Sequence, residues 1–200
     1  MDIAKAKKII PALAYRLGRI PQYLAHPLSK WERIYSTENP WRLNHPGDVY
    51  RFEETNRIIR DNIGPVEAAL EIGSGEGHQT KWLLDLAHKV RGLDISATAV
   101  RRSRRKFANN PNATFSVGKL PDIRTDACFD LVTAFELIYY VNPNDIPRVF
   151  DVMDRIGHKR IVSVFWPQRH LLDNHLFPTR NAAHQIIYWE DEPRWLAAWW

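Results

Sequence analysis

Apolar residues recur along the chain at two spacings, and the change between them divides it. From Val49 to Ile63, Phe52, Thr55, Ile58, Ile59 and Ile63 return every three or four positions, which predicts a helix that Gly64-Pro65 ends. Ser29 to Tyr35 predicts a shorter helix, and Glu38 to Arg42 a loop, because Asn39-Pro40 favours a turn. Beyond Gly64, short apolar runs alternate with helical patterns. Strands are predicted at Ala68–Ile72, Val90–Ile95, Thr114–Val117, Phe129–Phe135 and Arg160–Phe165. The helices between them include one whose apolar face is Trp82, Leu83, Leu86 and Ala87, a charged one over Ala97–Phe107, and one over Asn144–Ile156. Such alternation implies a parallel sheet covered on both faces. Gln185–Trp189 and Trp195–Trp200, around a turn at Glu190–Pro193, are expected to form a closing hairpin, making an α/β fold with a mostly parallel seven-stranded sheet.

Composition narrows the class without deciding it. With 200 residues, 44% hydrophobic and 26% charged, the chain reads as one folded domain, not a disordered or fibrous one. Lys, Arg, Asp or Pro interrupts every apolar run before membrane-span length, so no integral membrane segment is expected. The net charge of +5 is too small by itself to argue for nucleic acid. Cys128 is the single cysteine, which excludes an internal disulfide and suits a reducing, cytoplasmic location. Near the start, Lys5, Lys7 and Lys8 precede an apolar run that Arg16 and Arg19 cut short, with no small-residue cleavage site after it. Residues 1–30 are therefore read as a basic helical arm, either a surface helix or a contact with an acidic membrane face. Residues 31–200 form the domain, with a helical lid over about 31–64 and a core over about 65–200.

The chemistry is concentrated in Glu71-Ile72-Gly73-Ser74-Gly75-Glu76-Gly77-His78. A strand runs into alternate glycines, where the backbone can turn sharply and approach a ligand with no Cβ in the way. A dinucleotide fingerprint would place its third glycine at position 78, which is His, so the loop suits a ligand without a pyrophosphate. Asp94 ends the next strand, where an acid can accept both hydroxyls of a ribose. Together these residues describe a nucleoside site with an acid, Glu71, ahead of its glycines.

Glu71-x-Gly73-x-Gly75-x-Gly77, the Asp94 strand end and Phe129-Asp130-Leu131-Val132 followed by Glu136 resemble the class I S-adenosylmethionine-dependent methyltransferases, over about Val49 to the C-terminus. Asn39-Pro40-Trp41-Arg42 before a helix with Tyr50 and Glu53 or Glu54, together with Phe135-Glu136-Leu137-Ile138-Tyr139-Tyr140, is similar to the NodS-like nodulation methyltransferases, which methylate an amine on a chito-oligosaccharide. The resemblance implies a Rossmann-like fold, S-adenosyl-L-methionine as cofactor and a small-molecule acceptor, an amino sugar first. It implies cofactor contacts from Trp41, Arg42, Glu71, Gly73, Ser74, Gly75, Gly77, Asp94, Ile95, Gly118, Lys119, Leu120 and Phe135, and catalytic work by Glu136, Tyr139 and Tyr140. Lys119 stands where relatives often carry an acid for the adenine amino group; a lysine accepts no hydrogen bond, so adenine must be read by backbone around Gly118–Leu120, by Asp122 or by stacking.

Glu136, just past the fourth strand, is either an acceptor-positioning or proton-accepting carboxylate or a structural one. One of Tyr139 and Tyr140 faces the sulfonium or the acceptor, and the other packs. Trp41 offers a platform for a sugar face and Arg42 a fork for the methionine carboxylate. The run Arg101-Arg102-x-Arg104-Arg105-Lys106 reads as a solvated face. No metal site is expected from His170, Asp173, His175 and His184, whose spacing fits none of the standard sets. Cys128 is expected to behave as a small hydrophobe. Two rivals stay open: an RNA or protein methyltransferase, favoured by the basic run, and an inactive nucleoside-binding module, favoured by Lys119.

Overall fold

The computed structural model describes residues 28–200 apart from 124 and 126; the expected basic arm lies outside the described residues up to residue 27. Two helices come first, α1 (Leu28–Ile34) and α2 (Pro46–Asn62). Helix α2 begins three residues before its apolar period does. Its start is set by capping: His45 Nδ1 accepts the Gly47 amide and Pro46 occupies the first turn, where no amide is missed.

The remaining chain alternates as β1 (Val66–Ile72), α3 (Thr80–Leu83), β2 (Ala87–Asp94), α4 (Ala97–Lys106), β3 (Ala113–Val117), β4 (Phe129–Phe135), α5 (Ile146–Ile156), β5 (Gly157–Phe165), α6 (His170–His175), β6 (Ala183–Trp189) and β7 (Glu192–Trp199). The seven strands form one sheet in the order β3-β2-β1-β4-β5-β7-β6. Strands β1 to β5 pair in parallel; β7 runs antiparallel between β5 and β6. This is the expected Rossmann-like arrangement, and the closing hairpin forms as expected, with only Glu190 and Asp191 in its turn and both at positive φ.

Several boundaries differ from the sequence reading. The helix after the glycine loop has four residues, not two turns, and Ala87 opens β2 instead of closing that helix. β2 and β5 each start three residues early because their first turns out of the core expose His88 and Lys89, and His158 and Lys159, which hide an apolar pattern.

The core lies on both sides of β1, β4 and β5. Leu131, Val132, Ile161 and Val162 are wholly buried, α5 covers β4 and β5 with Val149, Phe150 and Met153, and α2 contributes Ile58 and Ile59. Removing the Phe150 ring would cost about 3–5 kcal/mol in lost burial and cavity formation. Helix α2 is also braced by the final hairpin: the Trp189 ring lies 5.2 Å from that of Tyr50, and Gly47 lies against the same indole. Cys128 is exposed, contrary to expectation, because it precedes the buried stretch of β4; its Sγ lies 3.5 Å from His158 Nε2.

Candidate active site

The strand order reverses between β1 and β4, and open α/β sheets hold ligands beyond the carboxyl ends of strands at that point. Here the ends of β1, β2 and β4 and the lid enclose a cavity of about 580 Å³, within the size range of small-molecule sites. Its wall includes Glu71, Gly73, Ser74, Gly75, Asp94, Ile95, Gly118, Lys119, Leu120, Phe135, Glu136, Tyr139, Tyr140 and Trp41. Two expected residues are not in it. Gly77 instead turns toward the core, where an added Cβ would stand 2.7 Å from Phe107 Cε2. Arg42 lies in a left-handed turn, φ +54°, that carries it off the cavity.

The glycine loop needs its glycines for two reasons. Gly73 and Gly75 have φ of +77° and +54°, and a Cβ on Gly75 would meet the Tyr35 hydroxyl at 2.9 Å. Asp94 holds the loop in place: one carboxylate oxygen accepts the Gly75 amide at 2.9 Å and the other the Ser96 amide at 2.8 Å. Each oxygen keeps a lone pair for a ligand. Burial pushes the Asp94 carboxyl up to about 6, against the pull of those amides. Glu71, fully enclosed and accepting the Thr80 hydroxyl, is pushed by burial up to about 8.

A guanidinium does reach the cavity, but it is Arg51 of α2. It is 3% exposed; Nη1 donates to Gln79 Oε1 at 3.4 Å, Nε lies 3.8 Å from Asp48 Oδ1, and Nε has no hydrogen-bond partner among the described residues. A buried cation so loosely paired in the free protein is costly unless a ligand completes it.

Aromatic rings close the lid. Trp41 stacks at 5.5 Å from Tyr35 and 6.5 Å from Trp31, and its Nε1 donates to the Tyr140 hydroxyl at 3.1 Å. Trp41 is thus held by other rings while remaining half-exposed in the cavity wall. Burial and the nearby Asp94 and Glu76 carboxylates hold the Tyr35 hydroxyl well above the usual phenol range. Carboxylates fasten the lid to the core. Glu32 accepts the Ala97 amide at the start of α4, while Glu76 accepts the Asn39 amide and the Arg102 guanidinium, which also donates to Thr37 O at 3.0 Å. The basic run is largely a solvated face, with Arg101, Arg104, Arg105 and Lys106 exposed, yet Arg102, Arg104 and Lys106 also donate to Glu76, Phe115 O and Gly77 O.

At the other end, Glu136 sits at φ +53°, its carboxylate accepting from the Tyr139 hydroxyl at 3.0 Å and the Ser163 hydroxyl at 3.2 Å. No group of three or more metal-ligating side chains is close enough to hold an ion among the described residues.

Residues 69–158 match the model of the methyltransferase domain family. That stretch runs from the first strand through the glycine loop and Asp94 to the start of β5. The chain is similar to Nodulation protein S of Sinorhizobium fredii (strain NBRC 101917 / NGR234), 25% identical over 142 residues, covering 70% of this chain and 62% of that one. A probable thiol methyltransferase of Arabidopsis thaliana is 34% identical over 86 residues, covering 42% of this chain and 36% of the relative. The chain thus spans less than two thirds of the length of these curated relatives. Among solved structures, the N-methyltransferase NodS of Bradyrhizobium japonicum WM9 in complex with S-adenosyl-L-homocysteine has the same fold, with a TM-score of 0.71 at 18% identity over 86% of this chain and 96% of that one.

Three residues that line the cavity or touch its wall were passed over by sequence reasoning. Tyr35 follows Trp31 by one helical turn, so a shared face was legible there. Arg51 lies on the apolar face of α2 beside Phe52 and Thr55, and a charge on a buried face was its signal. Ser163, inside a run of β-branched residues, gave none.

Proposed function

We propose that the chain is an S-adenosyl-L-methionine-dependent N-methyltransferase whose acceptor is a small-molecule amine, an amino sugar or chito-oligosaccharide first. The observation that carries the reading is the pairing of two unfinished groups across one cavity: the Asp94 carboxylate with a lone pair left on each oxygen, and the buried Arg51 guanidinium with Nε unbonded. The first suits the ribose hydroxyls and the second the methionine carboxylate, so the residues present fit the cofactor. When bound, that cofactor supplies a methyl group on a sulfonium, already activated toward in-line displacement.

The chain's own work is alignment and exclusion of water, which supplies several kcal/mol or more. Gly73 and Gly75 let the backbone come close to the ligand, and backbone at Gly118–Leu120 reads adenine, since Lys119 offers only donors. Glu136 orients the amine, and the Trp31, Tyr35, Trp41 and Tyr140 rings keep water from the reacting atoms. The relative named as NodS supports an amine acceptor. Action on RNA is disfavoured, because three residues of the basic run are already committed to internal contacts. No helix among the described residues is long and apolar enough to cross a membrane, and the unbridged Cys128 suits the reducing cytoplasm as place of action.

Calorimetry with S-adenosyl-L-homocysteine, then methyl transfer from S-adenosyl-L-methionine to glucosamine oligomers, a thiol and RNA, tests the reading. Binding followed by methylation of the amines alone is expected. Absence of binding would overturn the cofactor, and methylation confined to RNA or the thiol would overturn the acceptor.

A further inference from the structure

Glu136 adopts a backbone conformation that residues other than glycine rarely take, φ +53°. Such strain persists only where the surroundings over-determine it. One residue of the neighbouring strand does so at both ends of Glu136. Ser163 of β5 accepts the Glu136 amide on its carbonyl at 2.9 Å and donates its hydroxyl to Glu136 Oε1 at 3.2 Å. The strand register makes this possible, since Phe135 and Ser163 are direct partners in the β4–β5 ladder and Glu136 is the next residue out. Tyr139, three residues on, donates to the other oxygen at 3.0 Å. Ser163 is wholly buried and Tyr139 is 5% exposed, so neither hydroxyl is a solvent-facing group that lands on Glu136 by chance.

A carboxylate held at both oxygens by two hydroxyl donors has one orientation, each of its oxygens can accept more than one hydrogen bond, and this one stands in the cavity wall. We propose that Ser163 and Tyr139 are positioning residues for methyl transfer, fixing the Glu136 carboxylate as the acceptor that aims the N–H bonds of a primary or secondary amine. This rests on the reading of Glu136 as the residue that meets the acceptor. With an N–H held on Glu136, the nitrogen lone pair would be directed away from the carboxylate and left free to attack the methyl carbon. The N–C bond forms as the C–S bond breaks and its electrons pass to sulfur; the ammonium product then gives its extra proton to water. A tertiary amine has no N–H for Glu136 to hold, so the site selects amines by their remaining hydrogens.

The test uses Ser163→Ala, Ser163→Thr, Tyr139→Phe and Glu136→Gln in the full chain, with glucosamine oligomers and their N,N-dimethyl forms. Ser163→Ala and Tyr139→Phe should lower kcat by about ten- to a hundred-fold, the scale of a misplaced reacting group. Affinity for S-adenosyl-L-homocysteine should be nearly unchanged, and Ser163→Thr should restore most of the turnover. Adding Ser163→Ala to Glu136→Gln should lower turnover no further, because both act through one carboxylate. The dimethyl forms should not be methylated. Crystal structures of Ser163→Ala and Tyr139→Phe should show the Glu136 carboxylate displaced. Should Ser163→Ala fail to fold, Tyr139→Phe carries the test, since its ring packing is kept. A Glu136→Gln loss together with full turnover in both hydroxyl variants, or a carboxylate unmoved in their structures, would overturn the positioning role. Full turnover in Glu136→Gln itself would instead overturn the underlying reading of Glu136.

Discussion

Replacing Arg51 by Met separates what the residue does for a ligand from what it costs the fold. In the free protein its guanidinium is buried and its polar contacts are long, 3.4 Å to Gln79 and 3.8 Å to Asp48. Exchanging such a cation for an apolar side chain of similar length is neutral or stabilising, by up to about 4 kcal/mol. Met also keeps the apolar contact now made over the Phe52 ring, 4.5 Å from the guanidinium carbon. Binding should move the other way. A ligand carboxylate left buried and unpaired costs about 2–4 kcal/mol, which weakens S-adenosyl-L-homocysteine by about thirty- to seven-hundred-fold. 5′-Methylthioadenosine, which has the same nucleoside and no amino-acid end, should bind the variant as it binds the wild type. Calorimetry with both ligands and thermal denaturation of the free protein measure all three quantities. Equal weakening of the two ligands, or unaltered S-adenosyl-L-homocysteine affinity, would refute the assignment of Arg51 to the carboxylate.

Further outcomes follow from the same site. Because burial holds Asp94 near 6 and the ionised form would accept the ribose hydroxyls, S-adenosyl-L-homocysteine affinity should fall as pH drops through about 6, by up to about tenfold per unit. Asp94→Ala should remove that dependence and about 1.5–3 kcal/mol of binding, as calorimetry across pH would show. Glu71 moves from an ordinary 4.5 to about 8 in the folded chain, so its contribution to stability is complete below about 4.5 and is lost as pH rises through 8; Glu71→Gln should flatten that stretch of a denaturation series. Gly75→Val, forced into φ +54° against the Tyr35 hydroxyl, should abolish cofactor binding; measurable affinity would contradict the close approach at this loop.

What could be read from the sequence follows burial. β1 and β4 sit between other strands and are covered on both faces, so their apolar runs were unambiguous. Near their starts β2 and β5 expose His88 and Lys89, and His158 and Lys159, and these polar pairs erase the period. Within the site, Asp94 was legible because an acid at a strand end beside glycines has few structural reasons to be there. Arg51 was not, because a helical arginine defaults to solvent until the packing of that helix is known. Arg42 was misplaced for a conformational reason, since one left-handed residue reverses where a side chain points and no local pattern announces it. Ser163 becomes informative only through the β4–β5 register, which brings residues 27 positions apart into hydrogen-bond range.

The contact of Trp189 with Tyr50 and Gly47 has a consequence for how the molecule is made. Helix α2, which brings Arg51 to the cavity, is braced by a strand more than a hundred residues further along. As a ribosome releases the chain from its N-terminal end, β1 and the glycine loop emerge well before the residue that seats α2. Ile58 and Ile59 already fix the helix to the core and every residue lining the cavity precedes α5, so the hairpin adds a late brace to a site whose wall has been synthesised in full. A chain stalled before β6 should bind S-adenosyl-L-homocysteine more weakly than the finished one, with the loss measuring what that brace contributes.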